Sequence, residues 1–219
     1  MAKAGDRPGP PRAIELPPLT PFSGSSLEPH GDYEALLFSG LLAGQRADDA
    51  SFLACRFDRC GLDDVSMRRA HLAECVLDEL HATSLDAADT VWRDAVLSLR
   101  RVGALLAIGA TWSAVRVRGG RLDLLDLSGG KLRDVAFEGC AIGELDLGTV
   151  EARDLVFSDC QIDVLDVTGA RLAGTDLTGA AIGAVKGVAG LKGAIVTPAQ
   201  LLDLAPHLAA HLGIKVRGD

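Results

Sequence analysis

From Leu42 onward the chain places an apolar residue at every fifth position. The series begins Leu42, Ala47, Phe52, Phe57. It passes through Trp92 and Trp112 and ends Leu172, Leu177, Ile182, and all 29 members are apolar. Against a background of 48% hydrophobic residues, chance produces such a run with a probability on the order of 10⁻⁹ to 10⁻⁸, so the period is structural. A second column lies two residues before each member. It includes Ala50, Cys55, Cys60, Ala70, Cys75, Ala95, Ala110, Gly130, Cys140, Cys160, Ala170 and Ala180, and is mostly small or aliphatic. Polar residues fill the remaining places, often followed by glycine, as in Ala170-Arg171-Leu172-Ala173-Gly174 and Thr175-Asp176-Leu177-Thr178-Gly179.

A period of five suits neither a helix (3.6) nor a flat strand (2). It suits a chain that turns a corner every five residues, with two side chains of each unit inward and three outward. Stacked units then form ladders of like residues, each coil touching only its neighbours. These units resemble the pentapeptide-repeat family, whose unit is approximately A(D/N)LXX, over residues 40 to about 184. The resemblance implies an all-β solenoid: a right-handed quadrilateral β-helix with four pentapeptides per coil. The 29 units then make about seven coils, a stack roughly 34 Å tall at the usual strand spacing.

The flanks break the pattern. Residues 1–35 hold Pro8, Pro10, Pro11, Pro17, Pro18, Pro21 and Pro29, and proline fixes φ and removes a donor. This stretch reads as a proline-rich extended segment, with Ile14, Leu16 and Phe22 candidates to lie against the folded body. The β-helix spans 36–190. Residues 191–219 read as a short α-helical cap: Thr197-Pro198 marks a helix start, and Leu201, Leu204, Leu208 and Leu212 recur at near-helical spacing. Pro206 is expected to split this into two short helices, and Gly213 to end the second. A solenoid end exposes a raw strand edge, so the leucine stripe suits a cap or a homodimer contact at the end of the rod.

Composition narrows the function classes. Aromatic residues make up only 4% of the chain, so small aliphatic ladders must fill the core. The net charge of −8 argues against direct nucleic-acid binding and permits a basic partner. No apolar run is long enough to span a bilayer, and the polar start Met1–Pro11 lacks a signal-peptide core. The expectation is a cytoplasmic protein with reduced thiols. The five cysteines contain no CxxC pair. Cys55 and Cys75, like Cys140 and Cys160, are 20 apart and should stack in adjacent coils as small buried residues.

Chemistry is sparse. His207 and His211 have metal-capable spacing on a helix but no carboxylate or cysteine partner. His81, Ser84 and Asp86 are close in sequence, yet β-helix corners do not converge like a triad. Ser128-Gly129-Gly130-Lys131 is a turn, and no phosphate-loop motif occurs. The chain reads as no enzyme, with no catalytic residues, metal or cofactor.

What remains is surface. Asp86, Asp126, Asp146 and Asp166 precede the centres of one face at intervals of 20 or 40 residues, with Leu106 interrupting. They serve either to bond corner amides or as an anionic face for a partner. Arg93-Asp94, Arg133-Asp134 and Arg153-Asp154 are expected to form exposed ion-pair ladders on a neighbouring face. Trp92 and Trp112 should pack together inside. Arg100 breaks the inner column, so either the coil bulges near Leu99 or Arg100 escapes to solvent.

The first functional expectation is a non-catalytic protein-interaction scaffold. The resemblance implies an alternative: bacterial members of the family are acidic rods that imitate duplex DNA, bind DNA gyrase, a type II topoisomerase, and give protection from fluoroquinolones or toxins. This chain departs from them in its interspersed Arg116, Arg118, Arg121, Lys131 and Arg133, and in lacking an inserted loop between coils.

Overall fold

The computed structural model describes residues 14–215. Every strand pairing in it is parallel, and in the regular body of the stack partners differ by 20 residues, as in Trp92, Trp112, Leu132, Ala152 and Leu172. The fold is a parallel β-solenoid whose coil is four pentapeptides long. Corners need a left-handed residue, and the fifth position of most units supplies one. Asp89, Gly109, Gly129, Thr149 and Gly169 stack at one corner with φ of 58°, 70°, 68°, 54° and 69°. The N–H groups of the first four donate to the next coil, as Asp89 does to Ile108 O and Gly109 to Ser128 O, both at 2.8 Å. Asp and Gly recur at corners because they enter this region at least cost.

The stack runs to about eight turns rather than seven. Thr20–Pro21 and Asp32–Glu34, within the proline-rich stretch, pair with Leu36–Leu41 and Ser51–Leu53. The first steps are short: Thr20 pairs with Leu36, and then Tyr33 with Phe52 and Phe38 with Phe57, one residue under the regular spacing. The regular spacing starts after a shift between Ser39 and Leu41. Phe22 seals this end, 4.8 Å from Phe38 and 5.8 Å from Tyr33 between ring centroids. Ile14 and Leu16 are half-buried. The rest of the expected extended segment, residues 1–13, lies outside the described residues.

The second irregularity is at Arg100, and both expected escapes occur together. Leu80 pairs with Leu99, not with residue 100. Leu99 is buried in the inner column while Arg100 is exposed. The local bulge keeps a guanidinium out of a core that offers it no partner.

Inside, Leu85, Leu105, Leu125, Leu145 and Leu165 form one unbroken buried ladder. Trp92 and Trp112 are fully buried, 5.7 Å apart and tilted by 44°. The preceding centres in their coils are Ala87 and Ala107, so large and small residues offset within one cross-section. Trp92 Nε1 donates to Thr90 Oγ1 at 2.8 Å, and that hydroxyl donates to Ala87 O at 2.7 Å. One coil later Ala110 stands in the place of Thr90, and Trp112 Nε1 has no partner among the described residues. Ala110→Thr should therefore supply the missing acceptor and stabilise by about 1 kcal/mol. Thermal unfolding should rise by roughly 2–4 °C; an unchanged or lower midpoint would overturn this.

The cap is one helix, Pro198–His211, not two. Pro206 lies inside it and removes a single backbone donor, while bonds on either side continue, from Leu201 N to Thr197 O and from Leu212 N to Leu208 O. Thr197 and Gln200 form a reciprocal capping box. Gln200 Nε2 also donates to Leu177 O at 2.8 Å and Ala180 O at 2.7 Å, fastening the helix to the last coil. Gly213, at φ 71°, ends it: its N–H reaches Ala210 O and that of Ile214 reaches Ala209 O.

Candidate functional site

The aspartate column divides in two. Asp126 pairs in register with Asp146, and Asp146 with Asp166. These three are stacked at about 4.8 Å per step. Asp86 is cut off from them by Leu106, beside which Ile108 is 45% exposed. Asp86 instead accepts from Arg68 Nη1 at 3.0 Å.

Each aspartate also holds its own corner. Oδ1 of Asp86, Asp126, Asp146 and Asp166 accepts from the backbone N–H two residues on, at 3.1, 2.9, 2.7 and 2.8 Å. That structural role fixes one oxygen and, in Asp126, Asp146 and Asp166, leaves the other free to meet a partner; in Asp86 the other is held by Arg68. Burial pushes the Asp146 carboxyl up from its ordinary range, and the neighbouring charges of Asp126, Asp166 and Glu144 add to this. Asp166 is pulled down, chiefly by the Thr168 side chain. The column ends at Lys186, the register partner of Asp166, whose Nζ reaches Glu144 Oε1 at 2.8 Å. Glu144, beside Asp126, Asp146 and Asp166, extends the acidic patch and was not singled out from sequence. Its signal was available: it lies two residues before Asp146.

The expected Arg–Asp ladders do not form. Among the described residues no ion pair joins Arg93 to Asp94, Arg133 to Asp134 or Arg153 to Asp154. The aspartates sit at the next corner with φ of 50°, 51° and 56°. The chain turns there, and Asp134 instead accepts from Arg116 Nη2 at 2.7 Å. The arginines are left on an open face. Arg133 and Arg153 are register partners, with Ser113 below them. Sequence reasoning missed this face because it paired residues along the chain rather than across coils.

The remaining singled-out residues fall elsewhere. Leu204, on the terminal helix, is buried and Leu208 is half-buried, whereas Leu201 and Leu212 are exposed. Leu202 and Ile214 add to this apolar end. All five cysteines are buried free thiols, and burial pushes Cys60 up to about 11, which makes it a poor nucleophile. Among the described residues no group of three or more His, Cys, Asp or Glu side chains could hold a metal, and no helix is long and apolar enough to cross a membrane.

No protein-family model matches the sequence, and no curated protein does. Among solved structures the chain is similar to HetL, a pentapeptide-repeat protein involved in heterocyst differentiation regulation in the cyanobacterium Nostoc sp. strain PCC 7120. That match has 18% identity, covers 78% of this chain and 92% of HetL, and has a TM-score of 0.34. It is also similar to a trypsin-treated variant of QnrB1, a plasmid-mediated fluoroquinolone resistance protein. There the identity is 15%, the cover 86% of this chain and 100% of QnrB1, and the TM-score 0.43. The chain's own geometry carries the assignment. With a unit of five residues, four units to a coil and parallel register between coils, the chain has the fold of a pentapeptide-repeat β-solenoid.

Proposed function

We propose that this chain is a non-catalytic interaction scaffold whose acidic face docks a basic segment of a protein partner. The observation that carries the reading is the uninterrupted column Asp126–Asp146–Asp166. Each carboxylate is already held by its corner amide, so little side-chain freedom is lost on binding. Charge complementarity of this kind favours a partner rich in lysine and arginine.

A lysine-rich peptide tests it. Binding should weaken as salt rises. The triple variant Asp126→Asn, Asp146→Asn, Asp166→Asn should lose about tenfold or more in affinity. Asparagine keeps an acceptor for each corner amide while removing the charge, so the fold is retained. Equal binding by both proteins would sink the reading.

A second reading is an acidic DNA mimic that binds DNA gyrase. The same column supports it, as does the unbroken rod. Magnitudes place it behind the first. Duplex DNA carries one phosphate per ~3.4 Å on each strand, whereas the column is spaced at ~4.8 Å and ends at Lys186. A gyrase supercoiling assay with and without a fluoroquinolone decides. Inhibition or drug protection that the triple variant lacks would support the mimic, and no effect at micromolar concentration would retire it. Both readings accommodate a homodimer through the terminal helix, where Leu202 is 75% exposed and Leu201 and Leu212 lie open beside it. Sedimentation of a monomer at micromolar concentration would remove that element.

A further inference from the structure

The face that holds the centres Trp112, Leu132 and Ala152 carries an external groove of about 500 Å³. Its walls are outward side chains of four successive coils. Thr111 and Ser113 lie in one coil, Lys131 and Arg133 in the next, Glu151 and Arg153 above, and then Arg171. The residues are in strict register: Thr111 with Lys131, Ser113 with Arg133, and Arg133 with Arg153. The strand spacing sets Arg133 and Arg153 about 4.8 Å apart at the backbone, and Lys131 lies two residues, about 6.6 Å, along the strand. The backbone positions of three cationic residues therefore form one small triangle, with two hydroxyl-bearing residues along its lower edge.

Most arginines among the described residues are spent on ion pairs, as in Arg56–Asp78, Arg68–Asp86, Arg69–Asp49, Arg116–Asp134 and Arg118–Glu138. Lys131, Arg133 and Arg153 have no such partner among the described residues, and all three are exposed. The one carboxylate in the groove, Glu151, is taken by Arg171, whose Nη1 lies 2.9 Å from Glu151 Oε1. Asp134, the nearest corner carboxylate to Arg133, is held by Arg116. The groove is thus electropositive on a chain whose net charge is −8.

We propose that this groove binds a phosphate monoester, the terminal dianion of a phosphorylated ligand. Two guanidiniums offer planar forks that match phosphate oxygens, Lys131 adds a point charge, and the hydroxyls of Thr111 and Ser113 complete a tetrahedral acceptor's shell. A single carboxylate would leave most of these donors unused. A phosphodiester strand needs a basic stripe along the rod. The triangle is instead bounded by Ser113 in the coil below and Ala173 above.

The site is separate from the acidic column, so its test is independent of the proposed scaffold role. Inorganic phosphate and O-phosphoserine are titrated into the full chain by calorimetry or amide NMR. Both should bind, with shifts confined to residues 111–115, 131–135 and 151–155. The double variant Lys131→Ala, Arg133→Ala should weaken binding by about tenfold or more. Arg171→Ala, which frees Glu151 to face Lys131 across the coil step, should weaken it also. These positions are exposed, so unchanged melting curves verify the fold of each variant. No binding up to about 10 mM, acetate binding as well as phosphoserine, or duplex DNA displacing phosphoserine at matched phosphate concentration would each overturn the proposal.

Discussion

Replacing Trp112 by alanine is expected to cost about 3–5 kcal/mol of unfolding free energy. Trp112 is fully buried at the middle of the rod, between Trp92 below and Leu132 above. The cavity left behind cannot close, because the adjoining centre is Ala107 and has no bulk to move inward. Rigid backbone ladders on all sides hold the gap open. A solenoid adds a second effect. Its stability is close to a sum of coil and interface terms, so a weak interface in the middle lets the two halves unfold apart. Urea unfolding of Trp112→Ala should show a broadened or biphasic transition, and Trp112→Phe should be far milder. The indole N–H of Trp112 has no hydrogen-bond partner among the described residues, so phenylalanine forfeits only packing. A loss below about 1 kcal/mol for Trp112→Ala would refute the argument.

Gly120→Val should be of similar size, for a different reason. Gly120 has φ of 68°, and a Cβ there would lie 2.4 Å from Leu99 O and 2.7 Å from Leu99 Cβ. Leu99 is the residue that bulges inward so that Arg100 can leave the core. Glycine one coil later is what gives the bulge its space. The strained conformation and the collision together should cost about 2–5 kcal/mol. Gly119→Ala separates the two terms. Gly119 has φ of 62° but nothing within 4 Å of its absent Cβ, so that variant should show only the conformational cost of about 1–2 kcal/mol. Equal losses from the two variants, read by chemical denaturation, would mean the collision is not real.

The fold was legible because its cause is one-dimensional. A five-residue period repeated without slip forces a corner per unit, and identical units can bury their apolar columns only by stacking. The five-residue period therefore marks the buried centres from Phe52 to Leu177. That marking fails where the period itself fails. The opening coils are short by their register, Thr20 on Leu36 and Phe38 on Phe57, and no repeat in the sequence announces them. Pro206 was read as a break from local propensity alone, yet the helix bridges it.

The surface was less legible. Spacing placed Asp126, Asp146 and Asp166 in one column, since positions 20 apart must stack. It also placed Asp86 there, but could not show that Leu106 and the Arg68 contact separate it from the rest. Arg133 and Asp134 are adjacent in the chain and look like a pair. A left-handed corner at Asp134 turns one residue onto the next face, where Arg116, 18 residues back, reaches it instead.

Amino-acid order alone thus determined the solenoid, its inner columns and the coil-to-coil alignment of its outer ones, because all three follow from a fixed period. Only the tertiary structure decided which charges meet. Partners on a solenoid are chosen across coils and around corners, and the backbone angle at each corner sets where a side chain is aimed. That choice left the carboxylates of Asp126, Asp146 and Asp166 together on one face and the cations of Lys131, Arg133 and Arg153 unpaired on another.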